Sequence, residues 1–116
     1  MLVNNFSKKD ILIAFGGGTI GDLVGYIAST YKRGVQFINI PTTTMSMIDS
    51  SIGGKNALNI NEIKNAVGTI YPPKLVLCGF DILNSLDERN FNNGLYEALK
   101  IGILTNKNIY MNKNLQ

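Results

Sequence analysis

A chain of 116 residues suffices for one compact domain and leaves no room for two full ones. Apolar residues make up 45% of it and the mean hydropathy is slightly positive, which excludes an intrinsically disordered chain. The net charge of +3 arises from 11 basic and 8 acidic residues scattered without a run of like charge. That excludes the basic stripe of a nucleic-acid binder while favouring anionic small molecules.

No segment approaches the roughly 20 apolar residues that span a bilayer, and residues 1–10 lack the apolar stretch of a signal peptide. We expect a soluble, cytoplasmic protein with no membrane or nucleic-acid partner. Cys78 is the only cysteine, so no intrachain disulfide can form. Its place in Leu75-Val76-Leu77-Cys78 predicts a small buried hydrophobe rather than a reactive thiol. Histidine is absent.

In chain order, Ile11-Leu12-Ile13-Ala14-Phe15 is a short apolar run closed by glycines, the form of a parallel strand buried on both faces. Residues 23, 24, 26, 27, 30 and 31, all apolar or aromatic except Thr30, then follow helical spacing from Asp22 to Tyr31. Lys32 and Arg33 lie at the helix end, where its dipole favours cations, and Gly34 ends it. Residues 35–40 read as a second strand, stopped by Pro41. Strand, helix and strand within about 30 residues predict a βαβ unit.

Thr42-Thr43-Thr44 offers N-caps for a short helix through Met45 to Ile48. Residues 50–65, polar and rich in glycine and asparagine, read as a long loop of the kind that is often functional. Residues 75–78 form a third strand behind Tyr71-Pro72-Pro73. Ser85-Leu86-Asp87-Glu88 matches a capping box and opens a helical region reaching Leu104, with a possible break at Asn92-Asn93-Gly94. The Asn- and Lys-rich tail from Thr105 should fray. Alternating strands and helices make the chain α/β. Three strands are few for such a sheet, so a piece of a larger domain is expected.

Residues 16–21 satisfy G-x-G-x-x-G directly after a strand and before a helix, the context that makes this motif informative. Glycines let backbone approach a pyrophosphate, and the helix start offers free N–H groups; the plainer reading is that they only allow close strand–helix packing. The second strand ends without the usual acidic ribose partner. Asp22, one residue past the last glycine, could accept hydrogen bonds from a ribose or from the nicotinamide amide.

In Asp49-Ser50-Ser51-Ile52-Gly53-Gly54-Lys55 a carboxylate and an ammonium flank a turn and can converge on one ligand, or simply pair at the surface. Lys64-Asn65 adds a second cation and an amide. Arg33 is an exposed helix-end arginine unless a partner uses it. Glu97 and Lys100, at i and i+3 of an apolar helix, read either as an intrahelical ion pair or as a metal-ligand glutamate beside a substrate lysine.

Four stretches, GGGTIGDLVGYIASTYKRGV, PTTTMSMIDSSIGGKNALN, KNAVGTIYPPKLVL and NNGLYEALKIGIL, resemble the 3-dehydroquinate synthases within the wider sugar-phosphate cyclase family. The resemblance covers roughly residues 11–104. It implies a Rossmann-like parallel sheet fragment over residues 1–80, followed by the first helices of a helical metal-binding domain from 81–116. It also implies bound NAD, a divalent metal (zinc or cobalt), a phosphorylated sugar-acid substrate and homodimeric assembly. The implied reaction converts 3-deoxy-D-arabino-heptulosonate 7-phosphate to 3-dehydroquinate and phosphate in the shikimate pathway, with transient oxidation of a hydroxyl by NAD.

Carried over by motif, Gly17, Gly18, Thr19, Ile20, Gly21, Asp22, Thr42 and Thr43 would line the cofactor site. Lys55 and Lys64 would contact the cofactor as well, and Ile82, Leu83, Asn84 and Ser85 would approach it. Asp49, Lys55, Asn65 and Lys100 would act on substrate, Arg33 would reach a neighbouring subunit's phosphate, and Glu97 would bind metal. Two histidines complete the metal site in these enzymes, and this chain has none. Asn59-Ile60-Asn61-Glu62-Ile63 also replaces the family's small, glycine-bearing sequence before Lys64. The chain alone is therefore expected to be inactive. Other readings are 2-deoxy-scyllo-inosose synthase or another cyclase, a non-catalytic nucleotide-binding module, and an iron-type alcohol or glycerol dehydrogenase, against which the DSSIGGK and KN elements argue.

Overall fold

A computed structural model describes residues 5–105. The elements are β1 (Leu12–Gly16), α1 (Gly18–Thr30), β2 (Phe37–Pro41), β3 (Lys55–Ile60), β4 (Ile63–Ile70), β5 (Leu75–Val76) and α2 (Glu88–Leu104). Short 3-10 turns occupy Tyr31–Arg33 and Phe80–Ser85, and a π-helical segment spans Ser46–Ser50. The chain is α/β, as expected, with a parallel sheet in the order β1-β2-β5. Leu12 pairs opposite Phe37 and Gly16 opposite Pro41, so both strands end level and both following turns emerge at one edge.

Alternation along the strands decides where the core sits. Ala14 and Phe37 point to the side that α1 covers, where Ala28 and Val35 complete a fully buried cluster. Small residues at 14 and 28 bring helix and sheet together. Phe37 stacks on Tyr71 with ring centroids 6.2 Å apart, and the Tyr71 hydroxyl donates to the Val35 carbonyl at 3.1 Å. The other side was expected to be buried as well, but Ile13 and Phe15 are 59% and 62% exposed, since no described element packs there. Cys78 is exposed rather than buried, because β5 ends at Val76 and leaves it beyond the sheet.

Three boundaries differ from expectation. Helix α1 starts at Gly18 instead of Asp22, because extended Gly17 serves as N-cap and its carbonyl accepts the N–H groups of Ile20 and Gly21. The polar stretch 50–65 is not a loop throughout. From Lys55 it forms β3, which pairs antiparallel with β4 across a turn where Asn61 adopts a left-handed φ of 54°. Finally, α2 is capped by Asp87, whose carboxylate accepts the Asn90 N–H at 3.0 Å, while the Ser85 hydroxyl donates to the Ile82 carbonyl. No break interrupts α2 at Gly94. The tail expected to fray lies, beyond Thr105, outside the described residues.

Candidate functional site

The turns after β1 and β2 lie side by side, tied by the Thr42 N–H donating to the Gly16 carbonyl at 3.0 Å. None of Gly16, Gly17, Gly18 and Gly21 has a positive φ, so these glycines serve close approach rather than a left-handed turn. A Cβ on Gly17 would stand 3.2 Å from the Thr43 methyl, one on Gly18 3.1 Å from the Ser50 hydroxyl, and one on Gly21 3.0 Å from the Asn39 amide. The Thr43 hydroxyl oxygen in turn accepts the Ser46 N–H at 3.2 Å, at the start of the helical turn that leads into the π-helical segment. The glycine turn thus brings the start of α1 against both Thr42-Thr43 and the segment carrying Asp49. No side chain caps this helix start, and it opens at the carboxyl end of two parallel strands, where α/β sheets bind ligands.

Two adjoining cavities flank α1 beside this turn. One, of about 490 Å3, lies between Thr19, Asp22 and Leu23 on α1 and Asn59, Lys64 and Asn65 on the hairpin. The other, of about 310 Å3, is bordered by Asp22, Asp49, Ser50, Lys55 and Asn65. Asp22 and Asn65 border both. Six residues singled out from sequence, Thr19, Asp22, Asp49, Lys55, Lys64 and Asn65, are therefore gathered from four segments around one cleft. The fit to a phosphorylated ligand is good: two lysine ammonium groups supply charge, while asparagine, threonine and aspartate offer directional hydrogen bonds.

The acidity of Asp22 is displaced. Burial against the helix and hairpin raises its pKa above the ordinary 3.8. Its contribution to stability is therefore fully present below pH 3.8 and is lost as pH rises through the folded-state value. Asp10 and Asp87 run the opposite way, held low first by backbone hydrogen bonds from Ser7 and Asn90. Asp22→Asn should therefore melt slightly higher than the parent at pH 7 and show no advantage near pH 3. Thermal melts across that range check it, and a constant difference at both ends would rule it out.

Other expected site residues lie elsewhere. Gly17, Gly18, Ile20, Gly21, Thr42 and Thr43 shape the turn without bordering either cavity. Ile82, Leu83, Asn84 and Ser85 lie in the Phe80–Ser85 turn, away from both. Arg33 is exposed at the end of a 3-10 turn, where it and Lys32 take left-handed φ values of 63° and 46°. Glu97 and Lys100 form the ion pair that their spacing allows, 2.5 Å apart. Among the described residues no three His, Cys, Asp or Glu side chains cluster as metal ligands. A catalytic zinc generally takes three protein ligands, so the described residues do not fit a complete metal centre. No described helix is long and apolar enough to cross a membrane.

Asn59 was not singled out from sequence, yet it borders the larger cavity and its side-chain oxygen accepts the Asn65 N–H at 2.9 Å. The only signal was an asparagine six residues before another in a stretch that read as loop.

The 3-dehydroquinate synthase N-terminal family profile matches residues 1–93. The 3-dehydroquinate synthase of Streptococcus pyogenes serotype M49 is 43% identical over 110 residues, covering 95% of this chain and 31% of the relative. Among solved structures, 2-deoxy-scyllo-inosose synthase complexed with carbaglucose-6-phosphate, NAD+ and Co2+ superposes with a TM-score of 0.82 at 32% identity, over 85% of this chain and 27% of that one. The 2-epi-5-epi-valiolone synthase of Streptomyces hygroscopicus subsp. jinggangensis, with NAD+ and Zn2+ bound, gives 0.74 at 45% identity, over 77% of this chain and 25% of that one. This chain thus spans about a third of the curated relative's length. The parallel sheet, the glycine turn and the cleft beside α1 therefore have a family: the chain belongs to the 3-dehydroquinate synthase N-terminal family.

Proposed function

We propose that the chain forms the NAD-contacting and substrate-phosphate-contacting part of a 3-dehydroquinate synthase. The observation that carries this reading is the convergence of Asp22, Asp49, Lys55, Lys64 and Asn65 on one cleft beside a helix start that no side chain caps. The N–H groups at Gly18 and Thr19 would face the pyrophosphate, with Thr42 and Thr43 closing the turn. Asp22 would accept hydrogen bonds from a ribose hydroxyl or the carboxamide. Lys55 would hold the substrate phosphate as a point charge, Lys64 would reach the bound cofactor, and Asp49 and Asn65 would orient the sugar beside it. When bound, NAD would supply reversible oxidation of a substrate hydroxyl.

The assignment of residues 81–116 to a second, helical domain belongs to the same proposal, as do Glu97 as one metal ligand, Lys100 as a substrate contact and Arg33 as a reach across a homodimer. Cytoplasmic location belongs to it too. These rest on the family resemblance. The remaining metal ligands would come from outside the described residues, so this chain by itself should release no phosphate from substrate.

Calorimetric titration of the 116-residue chain with NAD+ tests the reading. Saturable one-site binding is expected, weakened about tenfold or more by Asp22→Ala, the loss of one hydrogen bond accepted by a charged group. No saturable binding, or binding indifferent to Asp22, would sink it. A phosphate-release assay with NAD+ and zinc serves as the companion measurement, with no turnover expected.

A further inference from the structure

The β3–β4 ladder is interrupted at one place. Leu58 pairs with Val67 and Ile60 with Ile63, so Asn59 alone stands opposite Lys64, Asn65 and Ala66. This is an enlarged β-bulge, and such bulges re-aim side chains near functional sites. Asn65 sits in it with a left-handed φ of 53°, which asparagine tolerates better than most residues. Its N–H has left the strand ladder and is taken up by the Asn59 side-chain oxygen at 2.9 Å. An unbroken ladder would send Lys64 and Asn65 to opposite faces. Here both border the same cavity, facing Thr19 and Asp22 on α1.

We propose that Asn59 is a positioning residue: by accepting the Asn65 N–H it holds the bulge that presents the Lys64 ammonium and the Asn65 amide together to the ligand. It acts through Asn65, not by its own contact. Asn59 is exposed, so replacing it removes the acceptor without opening the core. The energetic logic is simple. A left-handed non-glycine residue costs free energy that local hydrogen bonding must offset. Without the Asn59 acceptor, Asn65 should relax toward the extended form, and Lys64 and Asn65 should part.

The inference rests on the reading of this cleft as an NAD and substrate-phosphate site, and the test separates the two. Asn59→Ala and Asn59→Asp are made in the 116-residue chain and compared by NMR and by NAD+ titration. In Asn59→Ala, Asn65 amide exchange should accelerate at least about tenfold, the loss of one hydrogen bond, and its Cα and Cβ shifts should move toward extended values. NAD+ should bind about five- to tenfold more weakly while the melting temperature stays close to the parent's. Asn59→Asp, which keeps the acceptor, should restore both the amide protection and the left-handed shifts. A purely structural role would move the melting temperature and leave ligand affinity unchanged per folded molecule. If Asn65 stays protected and left-handed in Asn59→Ala, the proposal is overturned. It is also overturned if Asn65 relaxes and NAD+ affinity does not change. If the parent chain itself fails to bind NAD+, the functional reading falls, and the Asn65 exchange and shifts alone then decide whether Asn59 holds the bulge.

Discussion

Gly25→Ala is expected to lower stability by about 2–3 kcal/mol and to abolish measurable NAD+ binding, although alanine is by about 1 kcal/mol the better helix former. Gly25 is buried in the middle of α1, where the helix crosses the hairpin. A Cβ there would overlap the Asn56 side-chain oxygen and stand 3.0 Å from its nitrogen. Asn56 cannot swing away freely, because it is 5% exposed and its amide donates to the Gly54 carbonyl at 3.0 Å and the Tyr71 carbonyl at 2.8 Å. Moving it would leave buried polar groups unpaired, at about 1–3 kcal/mol. The alternative is for the hairpin to lift from α1, stretching the second peg, the Thr69 hydroxyl donating to the Ser29 hydroxyl at 3.0 Å.

Both cavities are walled by α1 on one side and by the hairpin on the other, so either response opens the cleft. A double-mutant cycle with Asn56→Ala identifies the cause: the pair should be less destabilised than the two single changes added, by more than about 1 kcal/mol. Additive effects, or a Gly25→Ala protein that still binds NAD+ normally, would refute the steric account.

The reach of sequence reasoning differed between parts of this molecule, for physical reasons. The βαβ unit was legible because apolar runs closed by glycine and proline carry a strong signal, and both strands appear within two residues of expectation. The hairpin was not. Asn56, Asn59, Asn61 and Asn65 read as turn formers, and only two of them, Asn61 and Asn65, adopt left-handed backbone. Asn56 is instead a buried peg, and Asn59 stands inside β3. Most of β4 is exposed, which erases the alternation that would mark a strand.

Candidate site residues were more legible than the element carrying them. Lys64 and Asn65 stood out as candidates by motif while their strand did not, since a motif records chemistry and is indifferent to how the backbone delivers it. Ser85 and Asp87 show a local ambiguity of another kind. Both can cap, and the carboxylate, which directly precedes the helix, took the role.

Gly94→Ala should detach α2 while leaving the NAD+ cleft intact, with a loss of about 2–3 kcal/mol for the docked helix. The residue lies where α2 crosses the π-helical segment, with the Thr44 hydroxyl sharing its proton between the Asn90 and Phe91 carbonyls at 3.0 and 2.9 Å. A Cβ on Gly94 would overlap Thr44 and stand 2.5 Å from the Met45 backbone nitrogen. A flexible side chain could yield; backbone cannot, so the helix must rise off its seat. The asparagines at 92 and 93 suggested a break here, but the glycine is needed for approach and the helix runs straight through. In an isolated 88–104 peptide the same change should raise helicity, because alanine outranks glycine when nothing lies opposite. Opposite signs in peptide and protein are thus the signature of docking. Limited proteolysis should cut α2 near Phe91 in the variant faster than in the parent, while NAD+ affinity stays within about twofold, since no residue of α2 borders either cavity. If α2 stays protected in Gly94→Ala, the seam at Thr44 does not hold it. If NAD+ affinity falls along with protection, the cleft depends on α2 in a way its lining residues do not record.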